Sequence, residues 1–346
     1  MRRARFVSSN ANAITRAPRL VDVARVAHLS PITVSRALRE PHKVSAQARA
    51  RVAKAVATTG YVPDLVASSL TSRRTRLVGL VVPTITSSIY ASTVAGLSDV
   101  LRERGFQALI GDSGYALDGE ERLVAAFVGR RVDGIVLSNV EHTAATRRLL
   151  SRARMPVVET GNLTPEPIDM VVGFSNYDAA HAMMNHLFAR GHRTIGFIGA
   201  STQANPQAAD RRRAYAEVLE AHRLPHPRTL IAECASDLDA GGYALLDIVA
   251  RHPSATAIFA ASEVRAIGAL LTCLRHRLPV PKRIAIAGFN DAGMGAHLVP
   301  ALTTVRVPRD EIGRRAASMI LDRLDGHAIS EPIVDVGFEI VVRESA

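Results

Sequence analysis

The sequence predicts a small all-α head carrying a helix-turn-helix, followed by an α/β core of two parallel-sheet subdomains. Three observations carry this. Residues 19 to 39, RLVDVARVAHLSPITVSRALR, set two short amphipathic patterns on either side of a turn. Beyond Thr75 the pattern changes to short apolar runs alternating with helix-length amphipathic stretches. Those runs are apolar on both faces, as parallel strands covered by helices are. They fall in two blocks, which predicts two similar halves.

In the head, Val23, Ala24 and Ala27 share one helical face, and Val34 and Leu38 at i, i+4 give the second helix a matching one. Ser30 is placed to cap the second helix, and Pro31 suits its first position, where a missing N–H costs nothing. A third helix is expected after Ser45, with Val52 and Val56 facing inward and Gly60 as its stop. The outer face of the second helix, Pro31, Ile32, Thr33, Ser35 and Arg36, holds little that a core needs, and Arg39 follows one turn on. That face is free to meet nucleic acid.

In the core, the runs LVGLVV (77–82), FQALIG (106–111), DGIVLS (133–138), TIGFIGA (194–200), AIFAAS (257–262) and IAIAGF (284–289) are the expected strands. Ligands of such folds sit beyond the carboxyl ends of strands. This directs attention to residues 84–90 with Tyr90, to Glu141 and His142, Phe174 and Ser175, Glu263, and Asn290 with Asp291. Tyr90, Phe174 and Phe289 are candidates for apolar cleft walls, and equally for core residues.

Charge is divided unevenly. Residues 1–76 hold 15 Lys or Arg against 3 Asp or Glu, whereas residues 77–346 hold 28 against 29. A basic excess confined to one small module is the footprint of phosphate binding, and the nearly neutral remainder argues against a merely basic, soluble surface. No apolar run reaches the roughly 18 to 20 residues of a membrane span. Residues 1–18 are basic and lack an apolar h-region, so they read as a tail and not as a secretory signal. Cys234 and Cys273 lie far apart without metal-ligand spacing, which suits free thiols in a reducing cytoplasm. There is no P-loop, no G-x-S-x-G elbow and no H-E-x-x-H, and His181 and His186 do not share a helix face. No enzyme, no metal and no cofactor is expected.

VDVARVAHLSPITVSRAL, then KVS, then GYVPDLVASSLTSRRTRLVGLVVP resembles the amino-terminal signature of the lactose/galactose repressor (LacI/GalR) family. The resemblance runs from about Arg19 to Val342. GYALDGEERL, RRVDGIVLSNVEHT, MVVGFSN and IAIAGF are similar, in order and spacing, to the gluconate-utilisation repressors of that family. The resemblance implies a DNA-binding head at 19–63, a hinge helix and linker at 64–76, and a periplasmic-binding-protein-like core at 77–346 that binds an effector and dimerises. It implies crossings between halves near Gly173, Pro300 and Gly326, giving one half at 77–173 and 301–326 and the other at 174–300 and 327–346.

The same resemblance suggests roles for single residues. Pro31 and Ile32 match the base-discriminating positions and can offer only apolar contact. Arg36 can bond a guanine in bidentate fashion, or stand as a solvated charge, while Thr33 and Ser35 position phosphates. The seven residues 64–70, DLVASSL, are too short for a stable isolated helix. They are expected to fold as a pair on DNA, with Leu70 wedged into the minor groove beside Val66 and Ala67, unless they are a plain linker. Arg211, in DRRRAY, matches the family's ligand-anchoring arginine and can clamp a carboxylate; Arg211, Arg212 and Arg213 can equally be one exposed turn.

Some residues depart from the family pattern. His28 replaces a turn glycine, Arg19 a Thr-like cap, Asp64 a common Asn, and Asn290 a common Asp. The expected partners are a palindromic double-stranded DNA operator, a second copy of the chain, and a sugar acid such as gluconate, with a neutral sugar or nucleoside as the alternative effector. A secreted solute-binding protein of the same core fold would need an export signal and no basic head.

Overall fold

In the computed structural model of the chain, residues 17–62, 74–203, 205–225 and 227–346 are described. They divide into two compact units, up to Thr75 and from Arg76. Val66, Ala67 and Leu70 of the expected hinge, and most of the expected tail, lie outside the described residues.

The first unit holds α1 (Leu20–Ala27), α2 (Pro31–Arg39) and α3 (Ala46–Thr59). Val23, Ala24, Ala27, Val34, Ala37, Val52 and Ala55 form its core, with Leu38 and Val56 packed against it. The caps are those the sequence announces. The Ser30 hydroxyl accepts from the Thr33 N–H at 3.1 Å, the Ser45 hydroxyl accepts from the Ala48 N–H at 3.2 Å, and Gly60 closes α3 with φ +65°. His28 ends α1 with φ +51°, the left-handed conformation that glycine takes more easily. Its carbonyl accepts from Arg51 of α3 at 2.9 Å, which holds the turn in place. Arg19 gives α1 no side-chain cap of its own, but its backbone N–H donates to Asp22 at 2.9 Å.

The second unit contains two six-stranded sheets of the same order. Strands β1 (Leu77–Val82), β2 (Gln107–Asp112), β3 (Gly134–Leu137), β4 (Val157–Gly161), β5 (Met170–Gly173) and β11 (Ile333–Asp335) form the first, in order β11-β5-β4-β3-β1-β2, all parallel. Strands β6 (Ile195–Gly199), β7 (Ile231–Glu233), β8 (Ala257–Ala260), β9 (Ala285–Asn290), β10 (Thr303–Arg306) and β12 (Glu339–Val341) form the second, in order β12-β10-β9-β8-β6-β7. Only β12 is antiparallel, to β10. Helices α4 (Ser88–Glu103), α5 (Leu117–Gly129), α6 (Ala144–Ala153) and α11 (Arg309–Leu324) cover the first sheet. Helices α7 (Asn176–Ala189), α8 (Pro206–Ala221), α9 (Leu238–Arg251) and α10 (Glu263–Arg275) cover the second.

Each apolar run corresponds to a strand, five of them buried in their sheets and the run at 106–111 forming the partly exposed edge strand β2. Six strands lie outside those runs, and four of them have physical reasons to be quiet. β4 reads VVETG, with a charged residue at its centre, while β7, β11 and β12 are three-residue edge strands with exposed positions.

Two of the three expected crossings are corrected. The chain leaves the first sheet after Gly173, as expected, but returns at Val307 and Pro308 and crosses again after Asp335. β10 pairs with β9, so residues 301–306 belong to the second half; β11 pairs with β5, so 327–335 belong to the first. Pro300 precedes a strand and Gly326, with φ +82°, follows the end of α11; neither marks a passage between halves.

α4 and α11 pack backbone to backbone. A Cβ on Gly96 would lie 2.0 Å from the Asp310 carbonyl oxygen, and one on Gly313 would lie 2.1 Å from that of Thr93. Gly313→Ala therefore has to spread two helices, and we expect it to destabilise the core by about 1 to 3 kcal/mol, read as a lowered urea midpoint.

Candidate nucleic-acid interface and ligand cleft

The outward face of α2 is built by what its inward face buries. Val34 and Ala37 point into the three-helix core, which turns Pro31, Ile32, Arg36 and Arg39 outward. Ile32 is 72% exposed, unusual for a large apolar side chain that has core to join. Thr33 and Ser35 are half-buried, and the Thr33 hydroxyl is 2.8 Å from that of Ser30. Glu40, the acidic residue after the helix, is bonded to Lys43 at 2.7 Å. Arg36 and Arg39 thus present cationic heads beside an apolar contact surface, a combination suited to phosphates and base edges in a groove.

In the core, a cavity of about 360 Å³ is lined from both halves. Its lining residues follow strand ends: Val82 and Pro83 at β1, Ser113 after β2, Ser138 after β3, Ala200 after β6, and Ala261 after β8. This is the carboxyl-end position expected of parallel sheets. Tyr90 and Arg211, both singled out from the sequence, line it.

Arg211 projects from α8 and is 8% exposed. Its Nε and Nη2 donate to the Asn176 side-chain oxygen at 2.9 and 2.7 Å, and its Nη1 donates to the Ala261 carbonyl at 2.8 Å. The guanidinium lies 4.0 Å above the Phe289 ring. Burial, then repulsion from Arg309, pulls its pKa down to about 9. The exposed-turn alternative describes Arg213 alone, which pairs with Asp210 at 2.9 Å, while Arg212 is half-buried and pairs with Glu233.

The remaining ligand candidates are placed off the cavity lining. Glu141 is exposed. Ser175 caps α7, accepting from the Asp178 N–H at 3.0 Å. The Glu263 carboxylate is engaged by the backbone N–H groups of Ala292 and Gly295 at 2.8 and 3.0 Å. Asp291 is held by Arg343 at 2.8 and 2.9 Å and by Arg306 at 2.8 Å, so it does not stand in as a free hydroxyl acceptor beside Asn290. The Asn290 side-chain oxygen accepts from Arg309 at 2.7 Å. Glu263, Asn290 and Asp291 thus hold a loop and three arginines in place. Phe174 and Phe289 are fully buried, and each lies beneath a guanidinium, that of Arg309 and of Arg211 respectively.

Three charged lining residues escaped the sequence reading: Glu120, Arg265 and Arg309. Arg309 begins α11 just after a crossing, and Arg265 sits in the first turn of α10 after β8. A charged residue in the first helical turn after a strand was the signal available for both. Glu120 had no such signal, because its meaning comes from a partner distant in sequence. His142 bonds Glu120 at 2.6 Å through Nδ1 and Glu159 at 3.0 Å through Nε2, and its ring is fully enclosed. The second Glu159 oxygen accepts from the Ile168 N–H at 2.5 Å. Burial disfavours the imidazolium, but the hydrogen bonds and charges of the two carboxylates outweigh it and push the His142 pKa up to about 9. A charged imidazolium thus fixes Glu120 at the cavity wall.

Comparison with known proteins agrees with both parts. Residues 19–64 match the family described as bacterial regulatory proteins, lacI family, and residues 184–346 match a periplasmic binding protein-like domain. The HTH-type transcriptional regulator IdnR of Escherichia coli is 32% identical over 93% of this chain and 96% of its own. The HTH-type transcriptional regulator GntR of Pseudomonas aeruginosa is 33% identical over 95% of each. The crystal structure of a LacI-family transcriptional regulator from Silicibacter pomeroyi superposes with a TM-score of 0.87 at 30% identity, covering 95% of this chain and 99% of that one.

Two outcomes follow. Arg36→Ala should weaken binding to a selected palindromic DNA site by about 1 to 3 kcal/mol and narrow its advantage over random DNA, measured by fluorescence anisotropy; equal weakening on both would assign Arg36 to the backbone alone. For His142, the folded pKa stands above the ordinary value of 6.5, so its stabilisation is complete below pH 6.5 and is lost as pH rises through about 9. The stability gap between wild type and His142→Gln, on the order of 3 kcal/mol at pH 6, should shrink by pH 9.5 in urea titrations.

Proposed function

The chain belongs to the LacI family of bacterial regulatory proteins, DNA-binding transcriptional regulators and not enzymes, and from that premise we propose that it is a cytoplasmic repressor controlled by a sugar acid. It binds a palindromic operator as a homodimer, with α2 of each copy in the major groove: Pro31 and Ile32 against base edges, Arg36 on a guanine, and Thr33, Ser35 and Arg39 on phosphates. In the hinge, Leu70 serves as the minor-groove wedge, beside Val66 and Ala67.

The observation that carries the effector class is Arg211. Its guanidinium is buried at the cavity wall, and every hydrogen bond it makes in the described structure goes to a neutral oxygen. A buried cation without an anion is costly, and a carboxylate that accepts two parallel N–H bonds answers it. Glu120, Ser138 and Tyr90 on the opposite half supply acceptors and donors for a polyol chain. Gluconate, toward which the subfamily resemblance points, joins both features in one molecule. A ligand gripped from both halves biases their relative angle, and DNA affinity follows by linkage.

A neutral sugar is the second reading, supported by the Glu120 carboxylate, which suits hydroxyl donors. Calorimetry on the wild type separates the two. We expect gluconate to bind more tightly than glucose, and Arg211→Ala to lose about 2 to 4 kcal/mol of gluconate affinity with DNA binding in the absence of effector nearly unchanged. A preference for glucose, or a variant that binds gluconate normally, removes the sugar-acid assignment.

A further inference from the structure

We propose that His142, backed by Glu159, is a positioning residue for effector binding: it locks the Glu120 carboxylate in place as the acceptor for a ligand hydroxyl. The proposal rests on the reading that a polyhydroxy effector occupies the cavity, and it holds whether that effector carries an acid group or none.

Glu120 is the one carboxylate on the cavity lining among the described residues. Arg211 and Arg265, from the second half, offer donors only, and their hydrogen bonds in the described structure go to neutral oxygens. A polyol has to place the protons of its hydroxyl groups as well as their lone pairs, and an ionised carboxylate is the strongest acceptor this lining offers. The Ser138 hydroxyl lines the cavity from the same half as Glu120, buried and without a partner. Buried polar groups are nearly always satisfied in native proteins, so an orphaned one on this wall marks a polar surface that a ligand completes.

Behind Glu120 the wall is built from charge. His142, in the loop after β3, meets Glu120 of α5 through Nδ1 at 2.6 Å and Glu159, at the centre of β4, through Nε2 at 3.0 Å. Neither His142 nor Glu159 lines the cavity, and both side chains are fully enclosed. A carboxylate only accepts, so serving two of them takes both ring N–H groups, which the imidazole carries only when protonated. The second Glu159 oxygen is held by the Ile168 N–H. Arg147 of α6, 4.0 Å from Glu159, and Glu121 of α5, which accepts from the Thr143 hydroxyl at 2.6 Å, flank the cluster.

An enclosed charged cluster is a costly way to fill a core, because an apolar trio of similar volume forfeits no solvation. What it supplies is direction. One Glu120 oxygen is pinned by a ring that is itself pinned from behind to a strand, so the carboxylate is oriented before a ligand arrives and little ordering is left to do on binding. Without the imidazolium, two buried carboxylates face each other with nothing between them, and their repulsion drives Glu120 out of position.

Calorimetry on the full chain at pH 7.5 tests this with gluconate and glucose, the comparison being made with whichever binds the wild type more tightly. We expect Glu120→Gln and His142→Gln each to lose at least about 10-fold in affinity, and the double variant to bind within about 3-fold of Glu120→Gln alone. That non-additivity is what a role exerted through Glu120 produces. Equal losses from His142→Gln with and without the Glu120 carboxylate assign His142 to the fold alone and overturn the proposal. Glu120→Gln binding as tightly as the wild type also overturns it and leaves the effector reading standing. Binding of neither sugar overturns both. Should His142→Gln fail to fold, nitrogen NMR spectra of the wild type labelled at histidine decide the matter without it. Both His142 ring nitrogens should be protonated, and the Nδ1–H signal should move on saturation with the sugar. A neutral ring, or an Nδ1–H signal that the sugar leaves unmoved, overturns the proposal.

Discussion

Uncompensated positive charge, held out of water between two sheets, is the constraint on which the core depends. Folding Arg211, Arg265 and Arg309 into a low-dielectric wall without carboxylates costs free energy that the rest of the structure has to supply. Phe174 and Phe289 lie beneath two of the guanidinium groups, and backbone carbonyls and Asn side chains take their N–H groups. Neither kind of partner neutralises the charge. Under the proposed function, that cost is met when an anion binds, which is how strain and function are commonly coupled.

The architecture makes this site sensitive to both halves. The parallel sheets bring the carboxyl ends of β1, β2 and β3 to face those of β6 and β8 across one cavity. The halves are joined by three chain crossings, after β5, between β10 and α11, and after β11. Arg309 is at the second crossing, and its ring partner Phe174 is at the first. Arg309 and Phe174 therefore meet where the halves are joined. Beside it, the glycine contact between α4 and α11 sets Gly96 against the Asp310 backbone.

Much of the fold was legible because it rests on local rules. Ser30, Pro31, Ser45 and Gly60 fix helix ends through neighbours within four residues, and the apolar runs at 77–82 and 284–289 announce strands buried on both faces. The crossings near Pro300 and Gly326 came from the resemblance and from no local signal, and the switches fall some residues further on, at Val307 and Pro308 and after Asp335. The cavity was half legible. Tyr90 and Arg211 follow from position after a strand and from the family pattern. Glu263 and Asp291 satisfy the same positional rule, but their carboxylates are taken by the Ala292 and Gly295 amides and by Arg343 and Arg306, contacts between segments no single stretch of sequence reveals. The role of His142 is likewise set by two carboxylates that meet only in the fold.

The central claim is that an anion bound in this cleft and DNA bound by the α2 face are coupled through one conformational equilibrium. Coupling of that kind is reciprocal: the factor by which the ligand changes DNA affinity equals the factor by which DNA changes ligand affinity. The direct measurement is a thermodynamic cycle on the intact chain, titrating the sugar acid into free protein and into the protein–operator complex, and operator into protein with and without the acid. The account predicts equal factors, on the order of 5 to 150 and both unfavourable. A sugar acid that binds equally well to free and operator-bound protein would contradict it.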